Sequence, residues 1–118
     1  MPITISTELV DKAYKILLAR AKRRQTIYYG DFYRELGLDH HNQGDRNIGR
    51  QLLYTLNENE GMDSLITCLV TSKAENRPFE GFYTLAETEG RIKKGLSEEK
   101  KEEFWVNEVN TIFEKYGT

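Results

Sequence analysis

Five polar side chains between residues 46 and 54 are spaced so that one face of a helix would carry them all. They are Arg46, Asn47, Arg50, Gln51 and Tyr54, at positions i, i+1, i+4, i+5 and i+8. Arg, Asn and Gln are the side chains best shaped to hydrogen-bond base edges and to hold phosphate oxygens. Ile48, Leu52 and Leu56 form an apolar stripe in the same stretch. The spacing predicts a helix over 45–56, buried on one face and suited to nucleic acid on the other.

No other grouping of residues in the sequence indicates a metal site or a catalytic site. His40 and His41 are adjacent, a spacing that does not point two ligands at one metal from a regular element, so we expect a solvated loop and no metal. No phosphate-binding glycine loop, serine or cysteine triad, or zinc knuckle can be assembled from the sequence. We therefore expect no cofactor.

Composition predicts one small and soluble domain. The chain has 118 residues, of which 38% are hydrophobic and 31% are charged. No apolar run approaches the roughly 20 residues of a membrane span, so we expect no membrane contact. The N-terminus lacks a secretory pattern, and the single cysteine, Cys68, excludes an internal disulfide. A cytoplasmic location is the expectation.

The charge is divided unevenly along the chain. Residues 11–50 carry nine Lys and Arg against five Asp and Glu, a net charge of +4, and residues 51–118 carry eight against thirteen, a net charge of −5. The positive part contains the predicted 45–56 helix. Because affinity for DNA largely follows phosphate neutralisation, the overall charge of −2 favours weak to moderate binding.

The elements before this helix are short. Ser6 or Thr7 can cap a first helix that runs to about Lys22. Its basic end, with Arg23 and Arg24, either complements the helix dipole or contacts phosphates. Residues 26–29 predict a short strand and residues 30–36 a second helix, with Gly37 as its C-cap. A polar loop over 39–44 follows, and Asp45 is placed to cap the third helix.

After residue 61 the pattern predicts a β-hairpin. Residues 65–71 and 81–85 are the two strand candidates, and the loop over 72–80 between them carries Lys73 and Arg77. Helix, strand, helix, helix and hairpin is the order of a winged helix domain. The predicted fold class is therefore mainly α with a small β-hairpin (α+β), a winged helix-turn-helix with an additional C-terminal helix.

The C-terminal helix carries a strong apolar seam. Ser97 caps it, and the seam consists of Phe104, Trp105, Val109, Ile112, Phe113 and Tyr116. The seam either packs against the first helix or forms a homodimer or protein-docking surface. We therefore divide the chain into a winged helix domain, 1–96, and a C-terminal amphipathic helix, 97–118.

Residues 26–83 resemble the DNA-binding domain of alkylguanine–DNA alkyltransferases and alkyltransferase-like proteins. Residues 26–32 (Thr-Ile-Tyr-Tyr-Gly-Asp-Phe) are similar to the family's Thr-x-x-Tyr-Gly-x-hydrophobic run. Residues 46–50 (Arg-Asn-Ile-Gly-Arg) are similar to its Arg-Ala-Val-Gly recognition helix. Residues 65–70 stand where the family has a strand leading into Pro-Cys-His-Arg-Val.

The resemblance implies roles for two residues. Arg46 stands where the family has an arginine that fills the gap left by a flipped nucleotide, and Tyr29 where it has a tyrosine that presses on that nucleotide's phosphate. Tyr29 is otherwise a core aromatic, and Arg46 a solvated arginine of the first helical turn.

The family's chemistry does not carry over. Cys68 stands at the alkyl-accepting position, but Leu69 and Val70 follow it and Thr67 replaces the proline. A thiol without a neighbouring base or positive charge does not become a thiolate near neutral pH. We expect Cys68 to be a core thiol and the protein not to be an enzyme.

Two functions compete on these grounds. The first is a non-catalytic winged helix protein that binds double-stranded DNA, a small regulator or DNA-repair-like accessory factor. Its DNA contacts would be the polar helix face with Tyr29, Arg23, Arg24, Lys73 and Arg77. The second is a protein–protein interaction module on the same scaffold, with no direct DNA role.

Overall fold

The computed structural model describes residues 6–59, 65–72, 77–79 and 81–117. Within them the chain is mainly helical. The helices are α1 (Thr7–Lys22), α2 (Tyr29–Glu35), α3 (Gln43–Asn59), α4 (Phe82–Thr88) and α5 (Glu98–Tyr116). A 3₁₀ segment (Ile66–Leu69) and strands β1 (Ile27–Tyr28), β2 (Val70–Ser72) and β3 (Arg77–Pro78) complete the described elements. No helix in these ranges is both long and apolar enough to cross a membrane.

The first three elements follow the sequence prediction closely. Ser6 caps α1, with its Oγ accepting the Leu9 N–H at 3.1 Å. The predicted short strand is β1, and the predicted second helix is α2. Gly37 follows α2 with a φ of +75°, a left-handed conformation that glycine adopts without the Cβ strain other residues meet.

The predicted cap of the third helix is wrong in its position. Helix α3 begins at Gln43, two residues before Asp45, and Asn42 Oδ1 accepts the Asp45 N–H at 2.9 Å. The Asp45 carboxylate instead accepts the Asp39 N–H at 2.9 Å, across the turn between α2 and α3. Both residues are good cap formers, and the position of the turn decides which of them caps the helix.

The predicted hairpin is mostly replaced by other structure. Residues 66–69 form the 3₁₀ segment instead of a strand, and residues 82–88 form α4, so the predicted partner strand over 81–85 is wrong. Phe82 and Ala86 are buried at helical spacing, which α4 satisfies. The sheet order is β1-β2-β3, with β1 parallel to β2 and β2 antiparallel to β3.

The 3₁₀ segment lies at the centre of the core. Its four residues are fully buried, and it packs against α1, α3 and α5. A short run buried on all sides has no alternation to distinguish strand from helix, which explains the wrong prediction. Asn57 of α3 anchors this segment, since its Nδ2 donates to Thr67 Oγ1 at 2.9 Å and its Oδ1 accepts the Thr67 N–H at 3.2 Å.

The apolar seam of α5 packs inside the protein. Ile112 is fully buried, and the other five predicted seam residues (Phe104, Trp105, Val109, Phe113 and Tyr116) are half-buried against the core. Trp105 Nε1 donates to the Cys68 carbonyl at 2.9 Å, and the Tyr14 and Tyr116 hydroxyls lie 3.3 Å apart. Within the described residues, α5 therefore packs against α1 and against the 3₁₀ segment. A homodimer or protein-docking role for α5 stays a prediction.

A buried ion pair ties α5 to the connector that precedes it. Arg91 Nη2 lies 2.7 Å from Glu108 Oε1, and Glu108 is 4% exposed. Burial raises the pKa of Glu108, while the Arg91 guanidinium and the Leu65 amide oppose this rise.

Glu108→Gln is expected to change how stability depends on pH. Because the pKa of Glu108 is raised by folding, its contribution to stability is present at low pH and is lost as pH rises through the folded-state pKa. The unfolding free energy of the wild type should therefore fall relative to Glu108→Gln between about pH 4.5 and pH 7. Urea unfolding across this range measures it, and exposed Glu99→Gln on the same helix is the control. If the unfolding free energies of wild type and Glu108→Gln differ by the same amount at every pH, the expectation is contradicted.

Candidate nucleic-acid interface

The polar face of α3 is exposed at its N-terminal half. The side chains of Arg46, Arg50 and Gln51 are exposed, and Asn47 is half-buried. Gln43 links two of them, because its Oε1 accepts from Arg46 Nη2 and its Nε2 donates to Asn47 Oδ1 at 3.0 Å. Leu52 and Leu56 are fully buried on the other face, while Ile48 is half-buried. The helix therefore presents two arginines, one turn apart, to solvent from a firmly packed base.

Two tyrosines of α2 hold the beginning of α3 in place. The Tyr29 hydroxyl donates to the Tyr33 hydroxyl at 2.8 Å, and the Tyr33 hydroxyl donates to the Arg46 carbonyl at 3.5 Å. Tyr33 is fully buried, and its burial and its hydrogen bond with Tyr29 raise its pKa. This chain of donors sets the position of the backbone from which the Arg46 side chain projects.

Gly49 of α3 lies directly against the Tyr33 side chain of α2. A Cβ atom at Gly49 would collide with the hydroxyl and ring of Tyr33. Only a residue without a side chain lets the two helices approach this far. Tyr33 and Gly49 thus position the interface, and neither was singled out from the sequence for that role. The available signal was the Tyr-x-x-x-Tyr spacing in α2 and the glycine in the middle of an otherwise regular helix.

The structure favours a packing role for Tyr29. Its ring is half-buried, stacks on Phe79 with centroids 6.2 Å apart, and lies 4.5 Å from the Tyr33 ring. A phenol has one proton to donate, and Tyr29 donates it to Tyr33. Contact with a phosphate oxygen would require Tyr29 to give up this hydrogen bond.

Tyr54 does not fit the predicted DNA-binding face. It lies near Glu89 and Glu58, whose negative charges raise the pKa of its hydroxyl. A phosphate would be repelled by these carboxylates. The basic part of α3 therefore ends before Tyr54, and the helix turns acidic toward its C-terminus.

The residues predicted on the wing are only partly described. Arg77 is exposed in β3, where it pairs in register with Ser72 of β2. Lys73 lies outside the described residues. Strands β2 and β3 form a short antiparallel pair that includes Arg77.

Arg23 and Arg24 have other neighbours than the polar face of α3. Arg24, in a left-handed conformation with φ +55°, places its guanidinium against Gly117 after α5. A cation there complements the C-terminal dipole of α5. Arg23 is exposed beside Lys12 and Lys15 along the outer side of α1. Phosphate contacts by Arg23 and Arg24 at the flank stay a prediction.

Carboxylates near the interface are engaged by neighbouring groups. Asp31 lies 3.0 Å from Arg34, and Glu35 lies 3.9 Å from Arg20. Asp45 accepts the Asp39 N–H, and Asp39 Oδ1 accepts the His41 N–H at 2.9 Å. These contacts offset part of the negative charge around the two exposed arginines.

Cys68 is fully buried in the 3₁₀ segment, below the α5 residue Trp105. Burial raises the pKa of its thiol well above the ordinary value, and the nearby Glu108 carboxylate raises it further. Both effects disfavour the thiolate, as expected for a core thiol.

No protein family, no curated protein and no solved structure matches this chain.

Proposed function

We propose that this protein is a non-catalytic winged helix protein that binds double-stranded DNA through the N-terminal half of α3. The observation that carries the proposal is the pair of exposed arginines, Arg46 and Arg50, one turn apart on a helix whose other face is in the core. Guanidinium groups with this spacing suit the phosphates and base edges of a groove.

Contacts between α2 and α3 support the proposal. The hydrogen bonds from Tyr29 through Tyr33 to the Arg46 carbonyl, together with the close approach at Gly49, fix the register of α3 on α2. A recognition helix held by a rigid partner helix loses little conformational entropy on binding. The polar contacts are few and the net charge is −2, so we propose modest affinity that weakens with salt.

The test is fluorescence anisotropy with a mixed-sequence duplex at about 50 mM and about 200 mM salt. The double variant Arg46→Ala, Arg50→Ala is expected to bind roughly 10- to 100-fold more weakly at the lower salt. The slope of log affinity against log salt should also fall by about 2.

The matched control removes the same charge elsewhere. Lys93 and Lys94 are exposed on the connector before α5, and Lys93→Ala, Lys94→Ala is expected to change affinity far less. If the two double variants lose DNA affinity equally, the loss reflects net charge alone, and this result would contradict a specific interface on α3. Unchanged affinity in the arginine variant, or no binding at the lower salt, would favour a protein-interaction role instead.

The resemblance to alkyltransferase-like proteins adds a sharper expectation for Arg46. If its side chain fills the space of a flipped nucleotide, a duplex with one mismatched pair should bind more tightly than the matched duplex, because a mismatched base costs less to extrude. Arg46→Ala should remove this preference, whereas Arg50→Ala should lower affinity for both duplexes alike. Equal affinity of the wild type for the two duplexes would leave Arg46 as a groove contact only.

A further inference from the structure

The turn between α2 and α3 gathers three potential metal ligands that the proposed DNA contacts do not use. Asp39, His40 and His41 each offer one ligand atom, and these atoms all lie within 4.8 Å of one another. The two imidazole rings have centroids 4.0 Å apart. Adjacent side chains on a regular element point apart, whereas in this turn the side chains of Asp39, His40 and His41 converge.

Hydrogen bonds of the turn produce this convergence. Asp39 Oδ1 accepts the His41 N–H at 2.9 Å, which folds the tripeptide back on itself. The Asp39 N–H is held in turn by the Asp45 carboxylate at the start of α3. The three side chains therefore project from a backbone that is anchored to α3.

One of the imidazoles is also held by its surroundings. The His40 ring is half-buried over Gly30 and lies edge-on to the rings of Tyr29 and Tyr33, with centroids 6.3 Å away in both cases. Asp39 and His41 are exposed. An ion can therefore reach Asp39 and His41 from solvent, and His40 is already held in position beside them, so little rearrangement of His40 is needed for binding.

We propose that Asp39, His40 and His41 bind one divalent transition-metal ion, for which Zn²⁺ is the best chemical match. Two imidazoles and one carboxylate form a nitrogen-rich set that suits zinc, whereas Mg²⁺ and Ca²⁺ prefer oxygen ligands. Ligand atoms around tetrahedral zinc lie about 3.3 Å apart, whereas the present ligand atoms lie within 4.8 Å of one another, so the site would have to contract around the ion. Three protein ligands leave a fourth position for water.

The test is calorimetric titration of the full, tag-free chain with Zn²⁺ alone, and with Mg²⁺ for comparison. His40 and His41 are the two histidines of the chain, so histidine-dependent binding can arise only here. We expect saturable binding of one Zn²⁺ per chain and much weaker binding of Mg²⁺. His41→Ala and Asp39→Asn should each weaken Zn²⁺ binding by roughly tenfold or more, while exposed Asp11→Asn leaves it unchanged.

Thermal unfolding supplies a second measurement. Because Zn²⁺ binds the folded state, it should raise the midpoint temperature of unfolding of the wild type, and it should raise that of His41→Ala much less. His41 is exposed, so its replacement should leave the fold intact, which circular dichroism checks. Equal Zn²⁺ affinity in wild type and His41→Ala, more than one site of similar affinity, or no measurable binding would each overturn the proposal. DNA affinity enters neither measurement, so a failure here is separate from a failure of the DNA-binding proposal.

Discussion

Gly49→Ala is expected to lower the unfolding free energy by about 3 kcal/mol, although alanine is the better helix former by about 1 kcal/mol. The new Cβ would overlap the Tyr33 hydroxyl and ring, and Tyr33 is fully buried within the core. Helices α2 and α3 must separate, which also breaks the hydrogen bond from Tyr33 to the Arg46 carbonyl. Urea unfolding gives the stability, and DNA anisotropy should show weaker binding in the remaining folded protein.

Gly44→Ala is the control within the same helix. Its Cβ would approach only the side-chain Oδ1 of Asn42, at 3.2 Å, so we expect a change of less than about 1 kcal/mol. Adding Tyr33→Phe to Gly49→Ala removes one of the overlapping atoms. The double variant should therefore lose less unfolding free energy than the sum of the losses in the two single variants. If Gly49→Ala stabilises the protein as a surface glycine would, the close contact between α2 and α3 is not present in solution.

Arg91→Met is expected to cost about 3 kcal/mol at neutral pH. Methionine keeps the aliphatic bulk of the side chain but removes the guanidinium 2.7 Å from the Glu108 carboxylate. Glu108 is then a buried anion without its partner. It must either stay charged, which lowers the unfolding free energy strongly, or bind a proton, which lowers it less. Chemical denaturation at pH 7 measures the loss, and the loss should shrink toward pH 4.5 because the carboxyl is neutralised there.

The double variant Arg91→Met, Glu108→Met separates the ion pair from side-chain packing. Replacing both charges with apolar groups of similar volume leaves no buried charge, so the double variant should recover most of the stability that Arg91→Met loses. Arg34→Met serves as a surface control, since its contact with Asp31 is solvent-exposed and is worth little. A double variant as unstable as Arg91→Met would indicate that lost arginine packing, for instance over Phe104, is the cause.

The sequence was sufficient for elements whose pattern is local. Helix α1 is capped by Ser6, one of its two predicted caps, and α5 by the predicted Ser97, because a cap needs only one side chain and the amide three residues on. The apolar stripe in 45–56 correctly predicted a helix buried through Leu52 and Leu56. The exposed arginines on its other face follow from the same period of 3.6 residues.

The region after residue 65 could not be predicted in this way. The six residues from Leu65 to Val70 are fully buried, so neither alternation nor helical spacing is visible in them. Their conformation depends on α1, α3 and α5 surrounding them, and on Asn57, which holds Thr67 from a distant part of the chain. The strand prediction for 81–85 failed for a related reason, since the buried partners of Phe82 decide between helix and strand.

The candidate sites divide along the same line. The sequence was sufficient to select Arg46 and Arg50 as the proposed DNA contacts, because side-chain chemistry and helical spacing are local properties. The convergence of Asp39, His40 and His41 was decided by the hydrogen bonds of the turn before α3, which the spacing of the residues does not show. The tertiary structure alone decided that Tyr33 fills the space left by Gly49 and that Glu89 lies near Tyr54. These are relations between residues whose distances are set by the folding of the whole chain, and no periodicity within one element contains them.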